Sequence, residues 1–294
     1  MESQYSVVCF GEILWDILPS GEEAGGAPMN VAYHLTKHGI NTAMISRIGN
    51  DERGKKLLEL LQQQNVVTDY IQSDNQHQTG VVYARPGANH EMTYEIVQPV
   101  AWDFIEWNED MQKIVEAAGF FVHGSLGARS EISRNTLLSL LECAQKRVFD
   151  INIRPPHFDK NLALQLLHGV HILKLNEAEL NLLAGWYGDY NSLIDQLKKV
   201  QDELDIPLII VTRGEHGAMI NAQGKIFEHP GYKVLVADTV GSGDAFLAGF
   251  LCQILNGAEV QQALNFACAS GSLIASYAGA CPDYKTAEIR KMLI

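Results

Sequence analysis

Residues 238–250 read DTVGSGDAFLAGF: two aspartates flank a Gly-Ser-Gly turn, and the chain then enters an apolar helix. The first amides of a helix have no partner within it, and the helix dipole makes that end positive, so a turn of this kind draws anions. Asp244 has two readings here. It caps its own helix, or it is a base beside a group whose charge the amides of Gly241, Ser242 and Gly243 hold.

Outward from this turn, apolar runs alternate with segments of helical period. YSVVCFG ends in glycine and reads as a buried strand, and the helix after Pro28 stops at Gly39. NTAMISRIG is the next strand and DERGKKLLELLQQQ the next helix. Further strands are expected at 119–123, 147–151, 170–174 and 208–212. Helices are expected at 131–146, 177–184, 191–201, 243–256 and 259–277. This alternation predicts a mostly parallel sheet covered by helices on both faces. Two stretches break the rhythm. TGVVYAR, PGAN and HEMTYEIV, between Thr79 and Val97, read as a β-hairpin that joins Ile13–Leu18 in a small sheet over a cleft. AMINAQGKIFEH reads as a second hairpin, turning at Gln223-Gly224.

The 294 residues suffice for one large α/β domain, and 47% apolar residues supply its core. With 22 basic against 35 acidic residues the net charge is −13, which argues against a general affinity for nucleic acid or acidic membrane. One arginine in a cleft can still serve an anionic substrate. The cysteines, Cys9, Cys143, Cys252, Cys268 and Cys281, are odd in number and none lie at C-x-x-C spacing, so neither a disulfide framework nor a zinc ribbon is expected. No run approaches membrane-spanning length and no signal-peptide pattern opens the chain, so a reduced, soluble, cytoplasmic protein is expected.

GNDERGKK (49–56) nearly matches the P-loop pattern G-x-x-x-x-G-K-[ST]. It fails because Lys56 stands where a magnesium-binding hydroxyl belongs, and Asp51 and Glu52 would repel phosphate. No G-x-G-x-x-G follows an early strand either. In GGAPMN (25–30) the glycines permit close backbone approach, and Asn30 can direct its amide at hydroxyls; an ordinary glycine turn is the alternative. Asp16, alone in the apolar run EILWDILP, is a sugar contact or an exposed residue on an edge strand. DINIRPPHF puts Asp150, Asn152 and Arg154 on one face at a strand end, where open α/β sheets bind ligands. Arg154 holds a phosphate or substrate hydroxyl there, or pairs with Asp150. In KLNEAEL, Asn176 and Glu179 lie one helical turn apart, spaced to position hydrated magnesium or to form a capping box. In VTRGEHGA, Thr212, Arg213 and Gly214 border a nucleotide or form a polar turn.

Combined, these pieces supply positioning, charge neutralisation and a base, which is what phosphoryl transfer needs. GGAPMNVAYHLTKHG, with Gly49 at the matching distance, and DTVGSGDAFLAGFL resemble the two long motifs of the ribokinase-like, or pfkB, carbohydrate kinases. The resemblance spans essentially the whole chain. GGAP-x-N, and D-x-N-x-R at 150–154, look most like the fructokinase branch.

The resemblance implies a ribokinase-like three-layer α/β/α fold with a mostly parallel sheet: one kinase domain over 1–294, with a small β lid from about 12–24 and 78–98. It implies an ATP-dependent transferase acting on a primary hydroxyl of a small sugar, fructose first. A kinase for ribose or 2-keto-3-deoxygluconate is the alternative, and a non-catalytic sugar sensor a remote one. Asp244 would take the hydroxyl proton, while Gly241, Ser242 and Gly243 hold the transferring phosphoryl group. Asp16, Gly26, Asn30 and Arg154 would contact the sugar. Asn176, Glu179, Thr212, Gly214 and Cys268 would lie along ATP. Glu179 would organise Mg2+ through water, and Asp238, Val240 and Gly279 a monovalent cation, K+. The lid further implies a homodimer contact. Four departures stand out. Ser242 replaces the family's usual Ala, and Cys268 stands where relatives often carry Asn or His. RPPHF replaces the Leu-Trp that often follows this arginine in fructokinases. The stretch from Asp16 to Gly25 is short and implies a small lid.

Overall fold

The computed structural model describes residues 5–19, 21–86 and 92–293. Strand β1 (Val7–Phe10) leads into two lid strands, β2 (Leu14–Leu18) and β3 (Gly21–Gly25). Helix α1 (Ala27–Lys37) brings the chain back to β4 (Thr42–Gly49), and α2 (Glu52–Gln63) leads to β5 (Ile71–Asp74). Strands β6 (Gly80–Pro86) and β7 (Met92–Ile96) complete the lid. The alternation resumes with α3 (Glu109–Ala117), β8 (Phe120–Gly124), α4 (Glu131–Cys143) and β9 (Arg147–Asp150). Next come α5 (Lys160–Leu167), β10 (Ile172–Asn176), α6 (Glu177–Ala184) and α7 (Leu193–Leu204). Strands β11 (Leu208–Thr212), β12 (Ala218–Ala222) and β13 (Lys225–His229) follow. Helices α8 (Ser242–Leu255), α9 (Val260–Ala275) and α10 (Thr286–Met292) end the described chain.

The main sheet has the order β13-β12-β11-β10-β9-β8-β1-β4-β5. Its pairs are parallel except for β12, which runs antiparallel to both neighbours. Alternate residues of each strand enter two different cores, as the period-2 pleat requires. Val8 and Phe10 pack with Leu137, Leu166 and Leu183 under α4, α5 and α6, whereas Val7 and Cys9 pack with Met29, Phe250 and Leu264 under α1, α8 and α9. Three layers result, α/β/α, as expected. Residues Ala245–Cys252 of α8 are all buried, which is why its sequence shows no polar face.

The lid is a separate sheet, β3-β2-β6-β7, with β2 and β6 parallel. Asp16 therefore stands on an inner strand, and its reading as an edge-strand residue is wrong. The expected PGAN turn falls largely on 87–91, outside the described residues. The second hairpin turns as expected, with Gln223 at φ +50° and Gly224 at φ +87°.

Several boundaries differ from expectation, among them α7, which spans Leu193–Leu204 where 191–201 was expected. Strand β10 extends to Asn176, because Lys174 finds a charge partner in the sheet and Asn176 pairs in register with Thr212. Helix α4 stops at Cys143, since the chain must turn there to enter β9. The order of strands reverses beside β1: the chain goes to β4 and β5 on one side, then to β8 on the other. In open α/β sheets the crevice at such a reversal, at the carboxyl ends of the strands, is where ligands bind. Among the described residues no helix is long and apolar enough to cross a membrane, and all five cysteines are free.

Candidate active site

A cleft of about 740 Å³ opens between the lid and the carboxyl ends of the strands. Its floor is the start of α8. Gly241 caps this helix at φ +75°, and a Cβ there would come within 2.6 Å of Ala280 Cα, so only glycine fits. Ser242 turns its hydroxyl back to donate to Thr239 O at 2.8 Å. A Cβ on Gly243 would lie 3.3 Å from Lys174 Nζ; the bare backbone lets the ammonium approach the turn.

Asp244 sits in the first turn of α8, where its Oδ2 accepts from Asn30 Nδ2 at 2.8 Å. Burial pushes its carboxyl up to about 6, and the charge of Asp150 adds to this. Lys174, Asn30 and Arg154 oppose the rise. The group is thus ionised at neutral pH yet basic enough to accept a proton.

On the lid side, Asp16 projects against Gly25, where a Cβ would lie on its Oδ2. Burial and then Glu23 raise the Asp16 carboxyl to about 6. Gly26, at φ +117°, packs so closely on Glu12 O that no side chain fits. The Glu12 carboxylate is 2% exposed; its Oε1 accepts from Ala27 N at 3.3 Å, and burial lifts its pKa to about 7. Arg154 is exposed at the lip, its Nη1 donating to Ile153 O at 3.2 Å. The alternative of an Arg154–Asp150 pair does not hold. Asp150 pairs instead with Lys174, Nζ to Oδ2 at 2.6 Å, both buried. Burial pulls Lys174 down, but the charges of Asp150 and Asp244 outweigh it and hold its pKa above the ordinary value.

At the other end, Asn176 and Glu179 form a capping box: Asn176 Oδ1 accepts from Glu179 N at 2.9 Å and Glu179 Oε2 from Asn176 N at 2.8 Å. Glu179 Oε1 also accepts from Ile153 N at 2.8 Å, tying the two strand ends together. Capping does not remove these groups from the cleft; both line it, as does Thr212. Gly214 and Cys268 do not. Cys268 is 4% exposed within the helical core, and burial pushes its thiol up to about 12. Asp238 accepts from Val240 N at 3.0 Å and from Gly279 N at 3.3 Å, joining the glycine turn to the loop after α9.

Among the described residues no group of three or more His, Cys, Asp or Glu side chains could cage a metal. Hydrated magnesium would need no such cage, only a carboxylate to orient its waters, and Glu179 lines the cleft. The P-loop-like segment holds no such site: Asp51 caps α2, accepting from Gly54 N, Thr79 N and Thr79 Oγ1.

The sequence profile described as the pfkB family carbohydrate kinase matches residues 20–287. The chain belongs to the pfkB family of carbohydrate kinases. Within this family it is similar to a fructokinase of Salmonella typhimurium, at 32% identity over 83% of this chain and 82% of that protein. A probable chloroplastic fructokinase-6 of Arabidopsis thaliana is 30% identical over 98% of this chain and 81% of its own. In fold it is similar to the fructokinase of Vibrio cholerae O395 solved with fructose, ADP and calcium, with a TM-score of 0.85, 23% identity and coverage of 99% and 100% of the two chains. The pfkB kinase described here is thus a fructokinase-like sugar kinase with a ribokinase-like fold.

Its sequence alone does not single out Lys174 or Glu12. A signal for the first existed: Lys174 precedes Asn176 by two residues, as Asp150 precedes Asn152, which puts the two charges on like faces of neighbouring strands. For Glu12 the only hint was a carboxylate directly after a buried strand and a glycine.

Proposed function

We propose that the protein transfers the γ-phosphoryl group of ATP to a primary hydroxyl of fructose, with Asp244 as general base. The observation that carries this reading is the placement of the Asp244 carboxylate. Asn30 holds it in the cleft, within one helical turn of the glycine-turn amides. The sugar hydroxyl gives its proton to Asp244 as its oxygen attacks the γ-phosphorus, and the bond to the ADP oxygen breaks in line. Amides of Gly241, Ser242 and Gly243 face the oxygens of the transferring group, and Lys174 adds positive charge beside Gly243.

Asp16, Gly26 and Asn30 form the sugar side, with Arg154 at the lip. The carboxylates Asp16, Glu23 and Glu12 on that side favour a neutral polyhydroxyl substrate over a sugar acid. Asn176, Glu179 and Thr212 form the triphosphate side, and Gly214 and Cys268 would be reached only by the purine end. Glu179 would hold Mg2+ through waters, and the ion would neutralise phosphate charge. A K+ near Asp238, Val240 and Gly279 belongs to the same proposal, and exchange of KCl for NaCl in the assay tests it. Five free thiols suit a reducing, cytoplasmic setting. Self-association through the lid is read from the mass in sedimentation.

The deciding experiment is ADP release with magnesium-ATP against fructose, ribose, tagatose, glucose, 2-keto-3-deoxygluconate, fructose 6-phosphate and adenosine. Preference for fructose is expected. Faster turnover of another member overturns the sugar, and no turnover with any overturns the kinase reading in favour of a sugar sensor.

A further inference from the structure

An asparagine amide has two unlike ends, and only one orientation of Asn30 suits Asp244. Its Nδ2 donates to Asp244 Oδ2 at 2.8 Å, while its Oδ1 lies 3.3 Å from Cys281 Sγ. Turned over, the amide would set its oxygen against the carboxylate, acceptor facing acceptor. Burial, and then the charge of Asp244, push the Cys281 thiol well up. The sulfur therefore keeps its proton and is the donor.

Cys281 does not lie on a loose loop. One face of α1 grips residues 280–286. Tyr33 Oη donates to Pro282 O at 2.7 Å, His34 Nε2 lies 2.9 Å from Ala280 O, and Lys37 Nζ lies 2.6 Å from Asp283 Oδ1. His34 is fully buried, and burial lowers its pKa to about 3, so it is neutral and its Nε2 proton goes to Ala280 O. Asn30, Tyr33, His34 and Lys37 are spaced three and four apart and share this face. Ala280 in turn packs against Gly241. The dipeptide Ala280–Cys281 thus touches both the glycine turn and the amide that holds Asp244.

We infer that Cys281 is a positioning residue for phosphoryl transfer: its thiol proton, given to Asn30 Oδ1, fixes the amide so that Nδ2 holds Asp244. This rests on Asp244 being the base. The Asn30 bond favours the ionised carboxylate against burial and Asp150. The other charged groups facing Asp244 are Lys174 of β10, Arg154 beyond β9 and Glu12 beyond β1, and substitution of Cys281 leaves all three in place.

The test compares Cys281→Ala, Cys281→Val and Cys281→Ser, with turnover normalised to folded protein and kcat followed across pH. Alanine and valine, of different volume and without a donor, are both expected to lower kcat by roughly fivefold, the scale of one modest hydrogen bond. Both should also move the acid limb of kcat to higher pH. Serine, which keeps a donor, is expected to restore kcat and the limb. Wild-type kcat and an unmoved limb in both apolar variants would overturn the inference, as would a serine variant that behaves like them. Asp244→Asn separates the two levels. If it turns over normally, the base and this inference fall together; if it is inactive and the Cys281 variants are silent, only this inference falls.

Discussion

Lys174 and Asp150 stand directly opposite each other on β10 and β9, with Nζ 2.6 Å from Oδ2 and both side chains buried. The parallel register sets this pair, and the same ammonium lies beside Gly243, at the turn where phosphate is expected. Neither charge could be buried alone, so the pair is a structural unit whose positive end lines the cleft.

Removing one partner should therefore cost far more than removing both. Asp150→Ala is expected to destabilise the protein by about 3–5 kcal/mol in urea unfolding, because a buried ammonium is left unpaired. Adding Lys174→Met should recover most of that stability but not turnover. Equal stability of the single and double variants would show that the pair is not coupled.

Turnover should fall as pH drops through about 6, because Asp244 must be ionised to accept a proton. Asp244→Asn is expected to fold and to lose at least roughly a hundredfold in kcat, at the low end for loss of a general base. The stability effect has the opposite sign to the activity effect. The folded pKa lies above the ordinary value, so the favourable contribution of protonated Asp244 is full below the unfolded pKa and lost as pH rises through about 6. Asp244→Asn should thus raise the apo melting temperature near neutral pH and give no gain in acid. Melts in two buffers check this.

Gly241→Ala and Ser242→Ala should separate backbone from side chain at the turn. The first places a methyl against Ala280 at a positive φ and is expected to cost about 1–3 kcal/mol together with most of the activity. The second removes only a hydroxyl bonded to Thr239 O and should keep turnover within about threefold. ADP release and thermal melts on both variants decide the matter.

Glu179→Gln keeps the shape of the capping box but puts an NH2 group against one of the two amides that Glu179 now accepts from. A loss of about 1 kcal/mol is expected from the cap. The magnesium concentration for half-maximal rate should rise by roughly tenfold, as when a group orienting a metal's waters is lost. A magnesium titration at fixed ATP, read beside a melt, tells the two effects apart.

Much of the molecule was legible locally. Apolar runs marked the strands of the main sheet, glycines marked the turns at Gly26, Gly39, Gln223-Gly224 and Gly241, and the layered architecture followed from strand–helix alternation. The edge-strand alternative for Asp16 stayed open in the sequence because an edge position and an inner lid strand show the same alternation; the difference lies in which strand pairs alongside. The choice for Asn176 and Glu179 between cap and cleft was never exclusive, since the capping box itself stands at the cleft wall.

Patterns within a few residues of one another, set by backbone sterics and burial on one face, were enough to read the elements and the two glycine turns. The partners of the charges could not be read that way. Asp244 meets Asn30 across 214 positions and Asn30 meets Cys281 across 251, while Asp150 faced Arg154 four residues away yet paired with Lys174. Parallel strands and docked helices juxtapose groups with no local relation, and a buried charge takes whichever partner the register brings within hydrogen-bond reach.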